Sequence, residues 1–335
     1  MFKISRNFSN NYYNSISQNK SITNNGINFY SSQSLDKDVF IKSSKKKEFD
    51  NFQLAFKGSN SLNLERLQSS VGNFNIDNLG LENFDGIREI DGNVDFRFSE
   101  IEDLGNILKI RGDANFSNSN ILDLSKLKTI HGDANFQYSK VNDFGKLQNI
   151  YGSADFRNSK IMDLGQLLTI GEDANFENSK VVDLGTLRDI GGNAFFSNSQ
   201  VLNLNYLETI GGNADFKNSM LTSLGNLQKI EGNANFSFSK INDLGNLQII
   251  RGDADFSNSN VTSLKKLQVV NGDLNISQSK IIDLGDLSFI GGNVIVDADK
   301  ENIIFSNNKR IVSDRIYSIS GNKKVLSAPI RIEKI

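Results

Sequence analysis

The stretch that decides the fold is Ile110-Arg-Gly-Asp-Ala-Asn-Phe-Ser-Asn-Ser-Asn-Ile-Leu-Asp-Leu-Ser-Lys-Leu-Lys-Thr129, a unit of 20 residues. Its pattern recurs every 20 residues, without insertion or deletion, from about residue 51 to residue 297. Glycine occupies every twentieth position from 72 to 292 except 172, where Glu172 follows Gly171. An unbroken short repeat predicts a stacked solenoid, in which each coil buries its apolar edge only against its neighbours.

The first half of the unit has the alternation of a short strand with one buried face. Ala114 and Phe116 are two residues apart and are separated by a polar residue. The phenylalanine recurs in every unit from Phe96 to Phe256, and larger residues replace the alanine at both ends, as in Val94 and Leu274. We therefore predict a continuous aromatic core with atypical terminal coils that cap it.

The second half of the unit contains a serine and a run of apolar residues three apart. The serine at 119 and its equivalents are expected to bond the backbone of the neighbouring turn. The spacing of Leu164, Leu167 and Ile170 predicts a short helical turn, with Asp163 as its N-cap. Both recurring glycines are expected at tight bends with unusual φ.

The motif Ala114-x-Phe116-x-x-Ser119-x-Ile121 resembles the second half of a leucine-rich repeat, L-x-x-L-x-L-x-x-N-x-L, with serine in the asparagine position. It departs from that pattern because Ile110 lies four residues before Ala114 instead of three; the arrangement Ile-x-Gly-Asp-Ala-x-Phe is more similar to receptor L-domains. The resemblance covers about 240 residues and implies a horseshoe of about twelve coils. The alternative is a right-handed pentapeptide-type β-helix, because Ala-Asn-Phe-Ser-Asn resembles A-[DN]-[LF]-x-x. Against it, apolar positions 116, 121, 124, 127 and 130 depart from a period of five.

The ends of the chain differ in composition from the repeats. Residues 1–35 contain 8 Ser and 8 Asn and no acidic residue, so we expect residues 1–50 to be a disordered tail and linker. The repeat solenoid then spans 51–297. The alternation over 315–319 and a Gly321-Asn322 turn predict a small β cap over 298–335.

The amino terminus leaves the compartment open between cytoplasm and secretion without a Sec signal peptide, since no apolar signal segment is visible. Its serine-rich, acid-free composition resembles that of bacterial type III effectors, several of which carry 20-residue leucine-rich repeats. A mitochondrial presequence would need more arginine than Arg6 alone.

Composition excludes much enzyme chemistry. The chain has no Cys and a single His, His131, so disulfides, thiolate sites and multi-histidine metal sites are excluded. The net charge of −2 provides no global attraction for nucleic acid, and no apolar run reaches the length of a membrane span. We expect no catalytic activity and no cofactor.

The polar residues on either side of the alanine form two Asn/Asp columns along the solenoid. These columns either bond to themselves or present a polar face to a partner; recruitment of Ca²⁺ is disfavoured because the acids lack a recognised ligand spacing. Aromatic and basic residues that interrupt the polar columns are the candidate partner-binding residues, because such residues commonly anchor interfaces. They are Phe195, Phe98, Tyr138, Phe238, Arg97, Arg157 and Lys217.

These observations favour a non-enzymatic scaffold that recognises a macromolecular partner, most simply a protein, through its polar strand face, centred near Phe195. Two alternatives remain: a leaderless secreted effector that acts as a scaffold in a host cell, and a structural or surface protein such as a glycan-contacting adhesin.

Overall fold

The computed structural model describes residues 84, 87–301, 313 and 315–320, together with the backbone of short strands at 28–30, 40–42, 69–71, 74–75 and 323–326. The chain divides into two compact units, residues 1–49 and 50–335. In the first unit, β1 (Asn28–Tyr30) pairs antiparallel with β2 (Phe40–Lys42). The predicted disordered tail therefore includes a strand pair, while the rest of residues 1–50 lies outside the described residues.

The second unit is a β-solenoid of 20-residue coils, as the repeat predicted. Each coil contributes two short strands, because only the residues around the buried Ile and Ala alternate. The strands are β3 (Ser69–Val71), β4 (Phe74–Asn75), β5 (Glu89–Asp91), β6 (Val94–Asp95), β7 (Lys109–Ile110), β8 (Ala114–Asn115), β9 (Thr129–Ile130), β10 (Ala134–Asn135), β11 (Asn149–Ile150), β12 (Ala154–Asp155), β13 (Thr169–Ile170), β14 (Ala174–Asn175), β15 (Asp189–Ile190), β16 (Ala194–Phe195), β17 (Thr209–Ile210), β18 (Ala214–Asp215), β19 (Lys229–Ile230), β20 (Ala234–Asn235), β21 (Ile249–Ile250), β22 (Ala254–Asp255), β23 (Val269–Val270), β24 (Leu274–Asn275), β25 (Phe289–Ile290), β26 (Val294–Asp297), β27 (Ile316–Ser320) and β28 (Lys323–Leu326).

The strands stack into two ladders with no shift in register. The odd-numbered strands β3 to β25 form a 12-stranded parallel sheet, and the even-numbered strands β4 to β26 continue through β27 and β28 into a 14-stranded sheet. Each residue pairs with its equivalent 20 positions on, as Ala134 pairs with Ala154. At the carboxyl end β27 pairs parallel with β26 and antiparallel with β28. The expected Gly321-Asn322 turn lies outside the described residues.

A third side of each coil carries a single-residue bridge followed by a tight turn. Asp103 bridges to Asp123, and the Ile107 amide donates to the Leu104 carbonyl at 3.2 Å. The predicted helical turn is wrong: residues 87–300 contain no helix. The aspartate does not cap a helix but accepts the amide two residues later, as Asp163 Oδ1 does from Gly165 N at 2.7 Å, and this closes an Asx turn with positive φ at Gly165.

The core is a stack of apolar side chains that recur in every coil. In the quoted unit the buried positions are Ile110, Ala114, Phe116, Ile121, Leu124 and Leu127. The phenylalanines from Phe96 to Phe256 form one stacked column, with ring centroids 4.5–5.5 Å apart. The predicted aromatic spine is confirmed. The buried spacing is not that of a five-residue repeat.

The serine column differs from expectation. Ser119 and its equivalents are buried, yet the bonds found for Ser239 and Ser279 run to the carbonyl three residues earlier in the same coil, at 2.7 and 2.6 Å. The hydroxyls of the other serines in this column from 99 to 259 have no partner. None of these hydroxyls bonds the neighbouring turn.

Candidate functional site

The polar column before the alanine is used to hold successive coils together. The amide of Asp113 donates to Asn93 Oδ1 at 2.7 Å, and the next coil repeats the bond from Asp133 to Asp113 at 2.9 Å. The chain of bonds continues through every coil to Asn293. One side-chain oxygen per coil, from Asn or Asp and in one coil from Ser153, therefore serves as a structural acceptor.

The same column explains the repeated glycine at 112 and its equivalents. A Cβ on Gly132 would overlap Asp113 Oδ1 and the backbone of residues 112 and 113. These glycines have no positive φ, so the expectation of unusual backbone angles is wrong at this column; what they supply is space. Among the described residues, the glycines with positive φ are those at the turn position of Gly165, which follows Leu in most coils and Phe144 in one.

The two exceptions in these columns compensate for each other. Ser153 replaces Asn or Asp, and the residue that would face its side chain in the next coil is Glu172, the single replacement of glycine. The shorter serine leaves room for the Glu172 Cβ and still accepts the Asp173 amide at 3.3 Å. Its hydroxyl also lies 3.4 Å from Glu172 Oε2. The pair indicates that the column is constrained by packing.

The polar column after the alanine also has a structural use. Asn115 Oδ1 accepts the Ser117 amide at 3.1 Å, which forms an Asx turn at the end of the strand. Every Asn or Asp of this column from 95 to 275 makes the equivalent bond. The strand face predicted as the interface is therefore largely occupied by bonds within the molecule.

Phe195 lies in this second column, and the structure corrects the expectation that it is exposed. Its side chain is 6% exposed, and its strand neighbours are Asn175 and Asp215. Asn175 is also buried, and its Nδ2 has no hydrogen-bond partner. An outward-facing phenylalanine among short polar residues lies within the sheet surface, where it gains burial. Phe195 is thus a poor centre for an interface.

The other three aromatic candidates are exposed. Phe98, Tyr138 and Phe238 have exposed fractions of 60%, 55% and 54%. They occupy the last central position of a tight turn, where φ is between 54° and 57° in every coil and where most coils have Asn. Asn tolerates the left-handed region, whereas a bulky ring is an outlier there. These aromatics therefore carry a backbone cost while more than half of each residue is left exposed to solvent.

The basic candidates precede this turn position. Arg97 and Arg157 each form an ion pair with the aspartate two residues earlier. The Nη2–Oδ2 distance is 2.6 Å both to Asp95 and to Asp155. The hydrogen bond with Asp155 raises the pKa of Arg157 further above its ordinary value. Lys217 is exposed, and its amide bonds Asp215. The two guanidinium groups are therefore already engaged within the chain.

We call the surface formed by positions 97, 98, 100 and their equivalents up to 280 the turn edge. Besides the candidates above, it carries a lysine column that the sequence interpretation missed: Lys140, Lys160, Lys180, Lys240 and Lys280. All five side chains are exposed. The signal in the sequence is that lysine recurs at one fixed register position, which lies outside the Asn/Asp columns.

Other functional groups are sparse in the part of the chain that the structure describes. No set of three or more His, Asp or Glu side chains there is arranged to hold a metal ion, and no helix is long and apolar enough to cross a membrane. His131 is exposed and contacts Tyr151, with ring centroids 4.9 Å apart and ring planes tilted by 56°. Partial burial, followed by the charges of Lys109 and Arg111, lowers the pKa of His131 below its ordinary value.

No protein-family model, curated protein or solved structure matches this chain.

Proposed function

We propose that the protein is a non-enzymatic scaffold that binds a protein partner through its turn edge. The observation that carries the proposal is the placement of Phe98, Tyr138 and Phe238. These residues are more than half exposed and occupy turn positions at which φ is positive. A bulky residue in that conformation costs about 1 kcal/mol, and more than half of each of these residues nevertheless stays exposed to solvent. Exposed aromatic rings of this kind are typical anchors of protein interfaces.

The scaffold type that we propose is the leucine-rich repeat. The support remains the match of Ala114-x-Phe116-x-x-Ser119-x-Ile121, in which the serine at the family's asparagine position is buried. The proposed contact surface is displaced from the strand face. There, the acceptors of the polar columns hold the coils together and close the strand ends.

The test compares two triple variants of the full chain as baits in an extract of the source cells. The first variant introduces Asn, the residue that most coils carry at this turn position, in place of the three exposed aromatics: Phe98→Asn, Tyr138→Asn and Phe238→Asn. The matched control, Tyr151→Asn, Tyr206→Asn and Phe289→Thr, removes three aromatics that are exposed on other surfaces.

We expect proteins that wild type and control retain equally to be lost from the turn-edge variant, as quantified by mass spectrometry. Equal retention by all three baits, with native circular dichroism for each, would overturn the proposal.

A further inference from the structure

The lysine column gives the turn edge a charge that the whole chain does not have. Positions 97, 98, 100 and their equivalents up to 280 contain eight basic residues and two acidic ones, although the chain has a net charge of −2. Three of the lysines, Lys140, Lys160 and Lys180, lie in consecutive coils. Because the coils stack in register at about 4.8 Å, their side chains emerge as a row of like charges.

These ammonium groups lack counter-charges within the described residues. No carboxylate there lies within 4.0 Å of the Nζ atom of Lys140, Lys160, Lys180, Lys240 or Lys280. The one side-chain partner in the row is neutral: Lys140 Nζ donates to Asn120 Oδ1 at 2.8 Å. Elsewhere the chain does pair its exposed charges across coils, as Arg188 does with Glu208. The row is therefore a set of unpaired cations that repel one another.

Aromatic rings lie beside the row in the same coils. Tyr138 precedes Lys140 by two residues, and Phe238 precedes Lys240 by two residues. The two rings lie five coils apart, and Lys160 and Lys180 lie between them. A strip that joins unpaired cations with exposed rings matches a ligand that combines negative charge with apolar groups.

We propose that the strip from Tyr138 to Lys240 binds an acidic polypeptide segment that also carries apolar side chains. This inference rests on the proposed function and specifies the partner's chemistry. The carboxylates of the segment would pair with the lysine row, and its apolar side chains would cover Tyr138 and Phe238.

The surroundings of the strip favour a polypeptide over a nucleic acid. Carboxylates lie on both sides of it: Asp215 toward the strand face, and Asp163 and Asp183 on the side that carries the single-residue bridges. The dense charge of a phosphate backbone would be repelled by both flanks, whereas a polypeptide can place a few carboxylates on a narrow row. Arg157, whose fork suits phosphate, is already held by Asp155.

The test measures binding of fluorescein-labelled poly-L-glutamate to the full chain by fluorescence anisotropy at low salt. In the variant K140E/K160E/K180E we expect Kd to rise by about tenfold or more, since three exposed ion pairs are lost and reversed. The control K126E/K146E/K266E changes the net charge equally, at exposed lysines on another side of the coil, and should bind as wild type does. If circular dichroism shows that K140E/K160E/K180E does not fold, K140Q/K160Q/K180Q is used in its place.

Several results would overturn this inference: no binding by wild type, equal weakening in the control, or tighter binding of labelled oligodeoxythymidylate or heparin than of poly-L-glutamate. Its failure is distinguishable from failure of the proposed function. If the aromatic variant still loses its partner while the lysine variants bind poly-L-glutamate as wild type does, only the acidic chemistry is wrong.

Discussion

The strand face and the turn edge come from the same 20-residue unit, but their polar residues have different roles. On the strand face each Asn or Asp oxygen accepts a backbone N–H. The donor is either in the next coil, as when the Asp113 amide donates to Asn93 Oδ1, or two residues on, as when the Ser117 amide donates to Asn115 Oδ1. On the turn edge the side chains vary and the lysines lack acidic partners among the described residues. Uniform columns in a repeat protein can thus reflect structure, and an interface is better sought where the side chains are unsatisfied.

The largest effect should come from the core that both surfaces cover. Phe176 is fully buried and stacks at 4.8 and 4.9 Å between Phe156 and Phe196. Phe176→Ala is expected to lower the free energy of unfolding by about 3–5 kcal/mol. Because coils contact only their neighbours, the loss should be local and can divide urea unfolding into two transitions. Melting like wild type would contradict the buried register.

The next effect tests the constraint on the strand face. Ser153→Asn alone should lower the free energy of unfolding, because the longer side chain would overlap the Glu172 Cβ. The same overlap would occur in another coil between Asp173 and a Cβ added to Gly192. Combining it with Glu172→Gly restores the sequence of the other coils. A double-mutant cycle in urea should give a favourable coupling of about 1 kcal/mol. Additive changes would show that the two exceptions are unrelated.

A smaller effect of opposite sign is expected on the turn edge. Tyr138→Asn should raise the free energy of unfolding by about 0.5–1 kcal/mol, since Asn tolerates positive φ and the ring is more than half exposed. The reverse change at the equivalent position, Asn118→Tyr, should lower it by a similar amount. If Tyr138→Asn destabilises in thermal melts, the ring contributes to the fold and its value as evidence of binding is lost.

The smallest effect concerns an ion pair outside both surfaces. The hydrogen bond from Lys265, together with the Gly245 amide, lowers the pKa of Asp243 below its ordinary value. Because the folded pKa is depressed, this stabilisation is present above the unfolded pKa of about 4 and is lost as pH falls through the folded value. Both side chains are over 40% exposed, so it amounts to less than about 1 kcal/mol. In Asp243→Asn the free energy of unfolding should fall less steeply as the pH is lowered into the acid range. An unchanged pH dependence would show that this ion pair does not contribute to stability.

The solenoid was predictable because every coil repeats the same inward positions, from Ile110 to Leu127, and a fixed period forces like residues into contact. The turn at Asp163 was not, because a spacing of three fits both a helical turn and an Asx turn closed by a glycine with positive φ. The burial of Phe195 was also hidden, since strand alternation places it outward and gives no measure of how neighbouring side chains cover it. Glycine at 132 could be assigned to a bend from sequence, but its role in making room for Asp113 needs the neighbouring coil.

The most direct test of the central claim, that the turn edge meets the partner, is lysine acetylation of the full chain, free and bound, followed by mass spectrometry. Binding of a partner retained in the capture experiment should protect Lys140, Lys160 and Lys180 and leave Lys126, Lys146 and Lys266 reactive. Protection of the second set with the first unchanged, or no difference between the two sets, would contradict the account.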